Sequence, residues 1–176
     1  MDICHHGQIK KLSLPDHWLA KTQSGSADTL RSVSIAYPAD RPGVQLRFIW
    51  RGSRLPSGAG ERFHALLSQP PKELDSEEIQ SLAPVIVDLA DEEVFCLEKA
   101  LTLDLSLRRV LQIEGIWKHD PFVSRSYFID ADGTGCLVQE IAFFAPQDEY
   151  ARYVGTVQEA LEAMEWSEQA AAAGPA

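Results

Sequence analysis

Alternation of apolar and polar side chains in the last third of the chain constrains its fold more than any other feature. Segments 124–130 and 135–143 both show the period of about two that is typical of half-buried strands. A turn-forming run, "DADGTG" at 130–135, joins them, and "RVLQIEGIWK" upstream alternates in the same way. Consecutive strands joined by short turns predict an antiparallel sheet.

The pattern changes to helical spacing after these strands. Apolar residues recur at intervals of three and four from Tyr150 to Met164, which predicts an amphipathic helix that begins near Pro146. Phe143 and Phe144 are neighbours on the preceding strand, so their side chains point to opposite faces of the sheet. Both faces therefore need a cover, and helices on each side would make an α/β/α sandwich.

The upstream sequence adds strands and helices in separate groups. "SVSIAYPA" and "VQLRFIWRG" predict a second strand pair. "GERFHALLSQ" and "DSEEIQSLAPVI" predict helices, the second capped at Asp75 or Ser76 and kinked or stopped at Pro84. "EEVFCLEKALTLDLSL" fits both a helix and a strand, and we expect a helix followed by a strand from about Leu103. Such segregation predicts the α+β class, with a mostly antiparallel sheet flanked by helices on both faces.

The chain is most simply one domain. Its 176 residues are enough to bury a core without disulfides or metals. We expect an N-terminal extension over residues 1–11, a single α+β domain over 12–166, and a flexible low-complexity tail over 167–176, where the sequence reads "SEQAAAAGPA".

Charge and composition exclude several functional classes. The formal net charge of −10 argues against a nucleic-acid partner, because phosphate binding depends on clustered Lys and Arg. No apolar run approaches the length of a transmembrane span, and the N-terminus shows no signal-peptide pattern. The 3 cysteines are widely spaced, which is typical of free thiols in a reducing compartment. We therefore expect a cytoplasmic location.

The turn "DADGTG" resembles the start of a calcium-binding loop. Counted from Asp130, the residues Asp132, Thr134 and Gly135 fit the third, fifth and sixth positions of an EF-hand loop. The twelfth position, which requires a bidentate Glu, is Ile141, and the flanking segments are strands rather than helices. We therefore expect a tight turn in which Asp side chains bind their own backbone and Gly residues adopt positive φ.

The sequence offers little other chemistry. Cys4, His5 and His6 are adjacent and lack the separated ligand pairs of a structural zinc site. No G-x-S-x-G elbow is present. Glu114 and Glu140 lie on predicted strands and could face each other across the sheet, although strand carboxylates usually lie on the solvated face. We expect no catalytic residues, no metal and no cofactor.

Basic and aromatic side chains in two segments form the candidate partner-binding surface. These residues are Arg47, Arg51, Arg54, Trp117, His119 and Phe122. Protein interfaces favour this composition, so we expect a non-catalytic binding or assembly-factor domain that contacts a protein partner which the sequence does not identify. The alternative is a small-ligand or metal-dependent enzyme with a pocket between sheet and helix. Convergent polar groups in a pocket would favour the enzyme, and a flat aromatic patch the binder.

The C-terminal part resembles a known superfamily. "VLQIEGIWK", "SRSYFIDADGTGCLVQEIAFFAP" and the closing helix with "EYARY" and a final Glu-Trp are similar to the PsbP-like superfamily, and "LPDHW" is similar to the opening of these domains. The superfamily includes PsbP, the Ran-binding nucleotide-release factor and the DcrB-like lipoproteins. The resemblance implies an antiparallel sheet with helices on both sides and a non-enzymatic accessory role. Its members serve photosystem II assembly, small GTPases and bacterial envelopes, so a photosystem-related role is among the expectations.

Overall fold

The computed structural model describes residues 1–24 and 32–167. The strands are β1 (Asp2–His6), β2 (Ile9–Ser13), β3 (Trp18–Ser24), β4 (Ser32–Pro38), β5 (Gln45–Trp50), β6 (Phe95–Leu105), β7 (Arg108–Trp117), β8 (Phe122–Asp130), β9 (Val138–Pro146) and β10 (Glu165–Trp166). The helices are α1 (Ser57–Leu67), α2 (Ser76–Ser81), α3 (Ala83–Ile86) and α4 (Gln147–Glu162), with a 3₁₀ helix at Val87–Ala90. No helix in this part of the chain is long and apolar enough to cross a membrane.

The strands form two antiparallel sheets. The larger sheet has 7 strands in the order β3-β4-β5-β9-β8-β7-β6, and the smaller has 3 in the order β1-β2-β10. β5 pairs with β9, with Phe48 opposite Ile141. This pairing joins the N-terminal strands β3–β5 to the C-terminal strands β6–β9. This arrangement confirms the predicted α+β class with a mostly antiparallel sheet.

One side of the large sheet, here called the α4 face, carries Phe48, Ile141 and Phe143. The small sheet and α4 bury apolar side chains against them: Ile3, Ile9, Leu12, Tyr153, Val157 and Leu161. Fully burying each large apolar side chain stabilises the fold by roughly 1.5–3 kcal/mol. The predicted apolar stripe of the last helix is thereby confirmed, and it closes the α4 face.

The other side, here called the α1–α3 face, carries Leu111, Phe128 and Val138. The helices between β5 and β6 and the 3₁₀ helix bury Phe63, Leu82, Val85, Ile86 and Leu89 against it. Helices therefore flank both faces of the sheet, as the opposite directions of Phe143 and Phe144 predicted. The cover on this side consists of short helices rather than one long helix.

The prediction of a helix at the start of "EEVFCLEKALTLDLSL" is wrong, because β6 runs as a strand from Phe95 to Leu105. The pairing of β6 with β7 shifts register between Leu97 and Lys99, which marks a β-bulge. A bulge adds one residue and changes which residues share a face. Leu97 and Ala100 consequently lie on the same face three residues apart, and this spacing imitates a helix.

The second predicted helix starts and breaks as expected. Asp75 Oδ1 accepts a hydrogen bond from the Glu78 amide at 2.9 Å, and Glu78 Oε2 accepts one from the Asp75 amide at 3.2 Å. This capping box satisfies backbone donors that the first helical turn leaves free. The helix α2 gives way at Leu82 to the short helix α3, which has Pro84 in its first turn. Pro84 has no N–H to continue α2, so the predicted break is confirmed.

The residues predicted to form an N-terminal extension, 1–11, make up β1 and most of β2. A turn at Gly7, with φ of 58°, joins these strands. The fully buried Gln139 holds this turn, since its Nε2 donates to the His6 carbonyl at 3.1 Å and its Oε1 accepts from the Gln8 amide at 2.6 Å. The predicted tail, 167–176, lies outside the described residues except for Ser167.

The run "DADGTG" forms the turn between β8 and β9 that was expected in place of a calcium loop. Asp130 Oδ1 accepts from the Gly133 amide at 2.9 Å, and Asp132 Oδ1 accepts from the Thr134 amide at 3.1 Å. Gly133 and Gly135 have φ of 70° and 74°. The Asp side chains therefore bind their own backbone, and the glycines supply the positive φ.

Candidate functional site

A cleft of about 560 Å³ lies on the α1–α3 face, where the helical cover ends above β5 and β9. Its lining residues come from the sheet, from the loop after β5, from the end of α3 with the 3₁₀ helix, and from the β7–β8 connection. They are Arg47, Ile49, Arg51, Ser53, Ile86, Val87, Asp88, Leu89, Trp117, Asp120, Phe122, Glu140 and Phe144. The volume is within the range of about 300–1,000 Å³ that is typical of small-molecule sites.

Arg47 presents its guanidinium to this cleft in a fixed position. The guanidinium carbon lies 4.3 Å from the centre of the Phe144 ring, and Nε donates to Gln45 Oε1 at 2.9 Å. Among the described residues, no side chain or carbonyl accepts from its two terminal nitrogens, and no carboxylate pairs with it. Burial lowers the pKa of Arg47, and the charge of Glu140 partly offsets this effect. The side chain remains cationic and keeps free N–H donors for a ligand.

The sheet side of the cleft is aromatic. The rings of Phe144 and Trp117 stack with centroids 6.1 Å apart, and Trp117 meets Phe95 edge-on at 5.3 Å. The indole Nε1 of Trp117 donates to Ser124 Oγ at 2.9 Å, which fixes the ring in the plane of this stack. These rings give the sheet side of the cleft an apolar surface.

Arg51 and Glu140 form an ion pair at the edge of the cleft. Arg51 Nη2 donates to Glu140 Oε2 at 3.0 Å, and Arg51 Nη1 donates to the Val85 carbonyl at 2.6 Å. The second oxygen of Glu140 accepts from Ser126 Oγ at 3.1 Å. The pair ties β9 to the end of α3. Arg51 is therefore engaged in holding the helical cover in place.

Val87 forms the lip of the cleft and has an unusual backbone. Its φ is 50° and its ψ is −117°, and its side chain is 51% exposed. Positive φ in a β-branched residue is strained, with a cost of about 1–3 kcal/mol. Asp88 and Asp120 lie exposed beside it and make the rim acidic. Strained residues of this kind occur preferentially at binding and catalytic sites.

The structure brings together four of the six residues predicted from the sequence: Arg47, Arg51, Trp117 and Phe122 all line the cleft. Arg54 lies outside the lining, where its Nη2 binds Asp132 Oδ2 at 3.1 Å and its side chain is 62% exposed. His119 is exposed in the β7–β8 connection and also lies outside the lining.

Sequence reasoning missed the residues that complete the cleft. Ile86, Val87 and Leu89 form its upper wall, and nothing in their local pattern separates them from ordinary helix-end residues. Glu140 could have been identified from the sequence, because its charged side chain interrupts the apolar face that Val138 and Ala142 share. A charged side chain between buried neighbours on a strand needs a partner, and Arg51 is that partner.

Glu114 and Glu140 lie on opposite faces of the sheet and do not face each other. Glu114 lies on the α4 face, where its Oε2 accepts from Arg125 Nε at 2.8 Å and its Oε1 accepts from the Tyr150 hydroxyl at 2.8 Å. Burial and the bond to Glu114 raise the pKa of Tyr150. Burial alone would lower the pKa of Arg125, but the bond to Glu114 and the electrostatic interactions with Tyr150, Tyr127 and Glu114 together outweigh it, and the net shift is upward. This network ties β7 and β8 to α4.

The turn "DADGTG" is joined to neighbouring elements by its remaining carboxylate oxygens. Asp130 Oδ2 lies 2.8 Å from His64 Nδ1 on α1, and Asp132 Oδ2 binds Arg54. Within residues 1–24 and 32–167, no group of at least 3 His, Cys, Asp or Glu side chains could hold a metal ion. Cys4, Cys96 and Cys136 are free thiols.

The chain was compared with models of protein families, with curated proteins and with solved structures, and none of these comparisons found a match. The PsbP-like resemblance therefore stays a prediction. What the cleft binds has to be inferred from the groups that line it.

Proposed function

We propose that this protein is a non-catalytic binding domain and that the cleft on the α1–α3 face is its binding site. The observation that carries the proposal is Arg47, a half-buried cation with free N–H donors beside an aromatic platform. A guanidinium in such a position loses much of its hydration without gaining a carboxylate partner. A ligand that supplies a hydrogen-bond acceptor would offset the free-energy cost of this lost hydration.

Two other polar groups of the cleft are already engaged within the protein, which supports binding rather than catalysis at these groups. Glu140 is held by Arg51 and Ser126, and Trp117 Nε1 is held by Ser124. A general base needs a free lone pair within reach of the substrate, and a carboxylate that is fixed by two donors serves poorly in this role. The pocket itself and the polar side chains of Ser53, Asp88 and Asp120 in its lining are what the alternative, a small-ligand or metal-dependent enzyme, would require.

The lip of the cleft also supports binding. Val87 combines backbone strain with an apolar side chain that is 51% exposed to solvent. Neither property stabilises the isolated protein. A ligand that covers Val87 would bury its exposed surface, at about 25 cal/mol for each Å² of apolar area removed from water.

The PsbP-like resemblance supports a more specific form of this proposal. Helices on both faces of an antiparallel sheet are the arrangement that the resemblance implies. On this basis we propose an assembly-factor role, photosystem-related in its most specific form, in which a protein partner inserts a group into the cleft. A cytoplasmic location, expected from the free cysteines, belongs to the same proposal.

A photo-crosslinking amino acid at Val87 would test the proposed binding site. The control places the same amino acid at Glu159, which is exposed on α4 and therefore on the opposite face of the sheet. In extracts of the source cells, we expect a defined adduct from position 87, as a protein band or a small-molecule mass shift, and none from position 159. Equal adducts from both positions, or none from position 87, would contradict the proposal.

A further inference from the structure

We infer that the ligand of the cleft carries a single carboxylate on an apolar body. The inference rests on the proposed function, because it names the chemistry of what that binding site accepts. It follows from the position of Arg47, from the charges around it, and from the shape of the apolar lining.

The acceptor on the ligand is placed by the fixed orientation of Arg47. Stacking on Phe144 at 4.3 Å and the 2.9 Å bond from Nε to Gln45 leave the two terminal nitrogens of the guanidinium free. Two parallel N–H donors match the two oxygens of a carboxylate, and bidentate pairs of this kind are the stronger ones among charged hydrogen bonds. A neutral amide offers one acceptor oxygen and turns an NH₂ donor towards the second N–H of the guanidinium.

The charge on the ligand is limited by the surrounding groups. Arg51 is engaged by Glu140 and by the Val85 carbonyl, so Arg47 is the cation left to meet an anion. Asp88 and Asp120 are exposed at the rim and would repel a dianion. A phosphate monoester carries a charge of about −1.5 to −2 near neutral pH, whereas a carboxylate carries one negative charge. The cleft therefore favours the carboxylate.

The body of the ligand is defined by the two walls. Trp117 and Phe144 form a stacked platform on the sheet side, and Val87 and Leu89 form the helical side. An apolar group between these walls would remove apolar area from water on both sides. The volume of about 560 Å³ accommodates a two-ring aromatic acid.

A carboxylate next to an aromatic group has two sources in a cell. A free aromatic acid carries it, and so does a protein chain that ends in an aromatic residue, because its terminal carboxylate is next to that side chain. The same cleft chemistry serves both. The experiment therefore includes a small-molecule arm and a peptide arm.

The small-molecule arm measures the affinity of 2-naphthoate, 2-naphthamide and 2-naphthyl phosphate by calorimetry, with amide resonances in NMR spectra to locate the site. We expect 2-naphthoate to shift resonances of β5, β9 and the 3₁₀ helix. Loss of a hydrogen-bonded charge pair weakens binding by roughly 10- to 100-fold. We expect a loss of that size for the amide, and weaker binding of the phosphate than of the carboxylate.

Arg47→Gln should reduce the affinity for 2-naphthoate to that of the amide. Arg54→Gln is the matched control, because Arg54 is on the same side of the molecule and outside the cleft, and it should leave the affinity unchanged. Thermal unfolding of both variants checks that each remains folded. A variant Arg47→Lys, which keeps the charge and loses the fork, should bind with intermediate affinity.

The peptide arm compares an acetylated tripeptide ending in Phe as the free acid with the same peptide as its amide. If the peptide with a free C-terminal carboxylate binds more tightly than 2-naphthoate, a chain terminus is the source of the carboxylate. If 2-naphthoate binds more tightly, the source is a small aromatic acid.

Equal affinity of 2-naphthoate and 2-naphthamide would overturn the inference while leaving the proposed binding site intact. The same holds if the crosslink at position 87 succeeds and none of these probes binds. Binding of the carboxylate that is unchanged in Arg47→Gln would also overturn the inference.

Discussion

The two faces of the large sheet each hold an arginine–glutamate pair, and the pairs differ in what surrounds them. Glu114 and Arg125 on the α4 face have side chains that are 15% and 18% exposed, and Glu140 and Arg51 on the α1–α3 face are 12% and 18% exposed. Glu114 also binds Tyr150 of α4, so its pair is tied to the helix that covers this face. Glu140 lies in the wall of a cleft.

The difference follows from how each face is covered. α4 is a continuous helix of 16 residues that lies along its face. On the other face, Pro84 divides the cover into α2 and α3, and the chain then bends at Val87. A long helix excludes solvent along its whole length, whereas short segments end above the sheet. The interruption of the cover therefore produces the cleft on the α1–α3 face.

We expect the largest difference in stability between alanine variants of two adjacent residues on β9. Phe143 is fully buried on the α4 face, and Phe144 is half-buried in the cleft. We expect Phe143→Ala to lower the free energy of unfolding by about 4 kcal/mol, because it leaves a cavity in a closed core. Phe144→Ala should cost about 1 kcal/mol. Urea denaturation of both variants measures the difference, and equal losses would show that the cleft is packed as tightly as the core.

The second comparison removes the carboxylate from each ion pair. Glu114→Ala leaves Arg125 and Tyr150 without their partner beneath α4, and we expect a loss of about 3 kcal/mol. Glu140→Ala should cost about 1–2 kcal/mol, because water in the cleft can solvate Arg51. Chemical denaturation gives both values, with Glu159→Ala on the surface as a control within about 0.5 kcal/mol of the original protein. A greater loss for Glu140→Ala would mean that water in the cleft does not solvate Arg51.

The third comparison concerns backbone strain. Val87→Gly places a residue that tolerates positive φ at the lip, and we expect the free energy of unfolding to rise by about 1 kcal/mol. Val154→Gly in α4 is the control, because glycine in a helix interior costs about 1 kcal/mol and the change should have the opposite sign. Thermal unfolding measures both variants. Destabilisation by Val87→Gly would mean that this residue packs in solution and that its strain is absent.

The smallest effect is a pH dependence confined to the α4 face. Burial lowers the pKa of His6, which lies against Phe48 with ring centroids 5.8 Å apart. Protonation therefore opposes folding: the contribution of neutral His6 is present above the ordinary histidine pKa and is lost as the pH falls through the lowered value. We expect His6→Gln to flatten the stability profile over this window. His119→Gln serves as the control, and an unchanged slope in His6→Gln would refute the assignment.

Much of the fold could be predicted because its signals are local. The alternation in β8 and β9, the stripe of α4 and the break at Pro84 each depend on residues close together in sequence. Phe143 and Phe144 even indicated that both faces are covered. The prediction for β6 was wrong because the bulge shifts the alternation of apolar and polar side chains by one residue and produces a helical spacing.

The cleft could be predicted only in part. Basic and aromatic composition identified Arg47, Arg51, Trp117 and Phe122. That these side chains lie in one cleft depends on the register of β5 with β9 and of β8 with its neighbours, and no local sequence pattern indicates this register. The same composition selected Arg54 and His119, which lie outside the lining. The upper wall at Val87 depends on how a short helix ends, which is a property of the folded chain.

The small sheet β1-β2-β10 has a practical consequence for handling the protein. Asp2 and Glu165 lie on strands that flank β2 from either side, so both ends of the described domain belong to the same small sheet, one strand apart. That sheet packs on the α4 face, away from the cleft. Tethering the domain to a sensor surface or a fusion partner at either end therefore orients the cleft outwards, and both attachment sites give the same presentation.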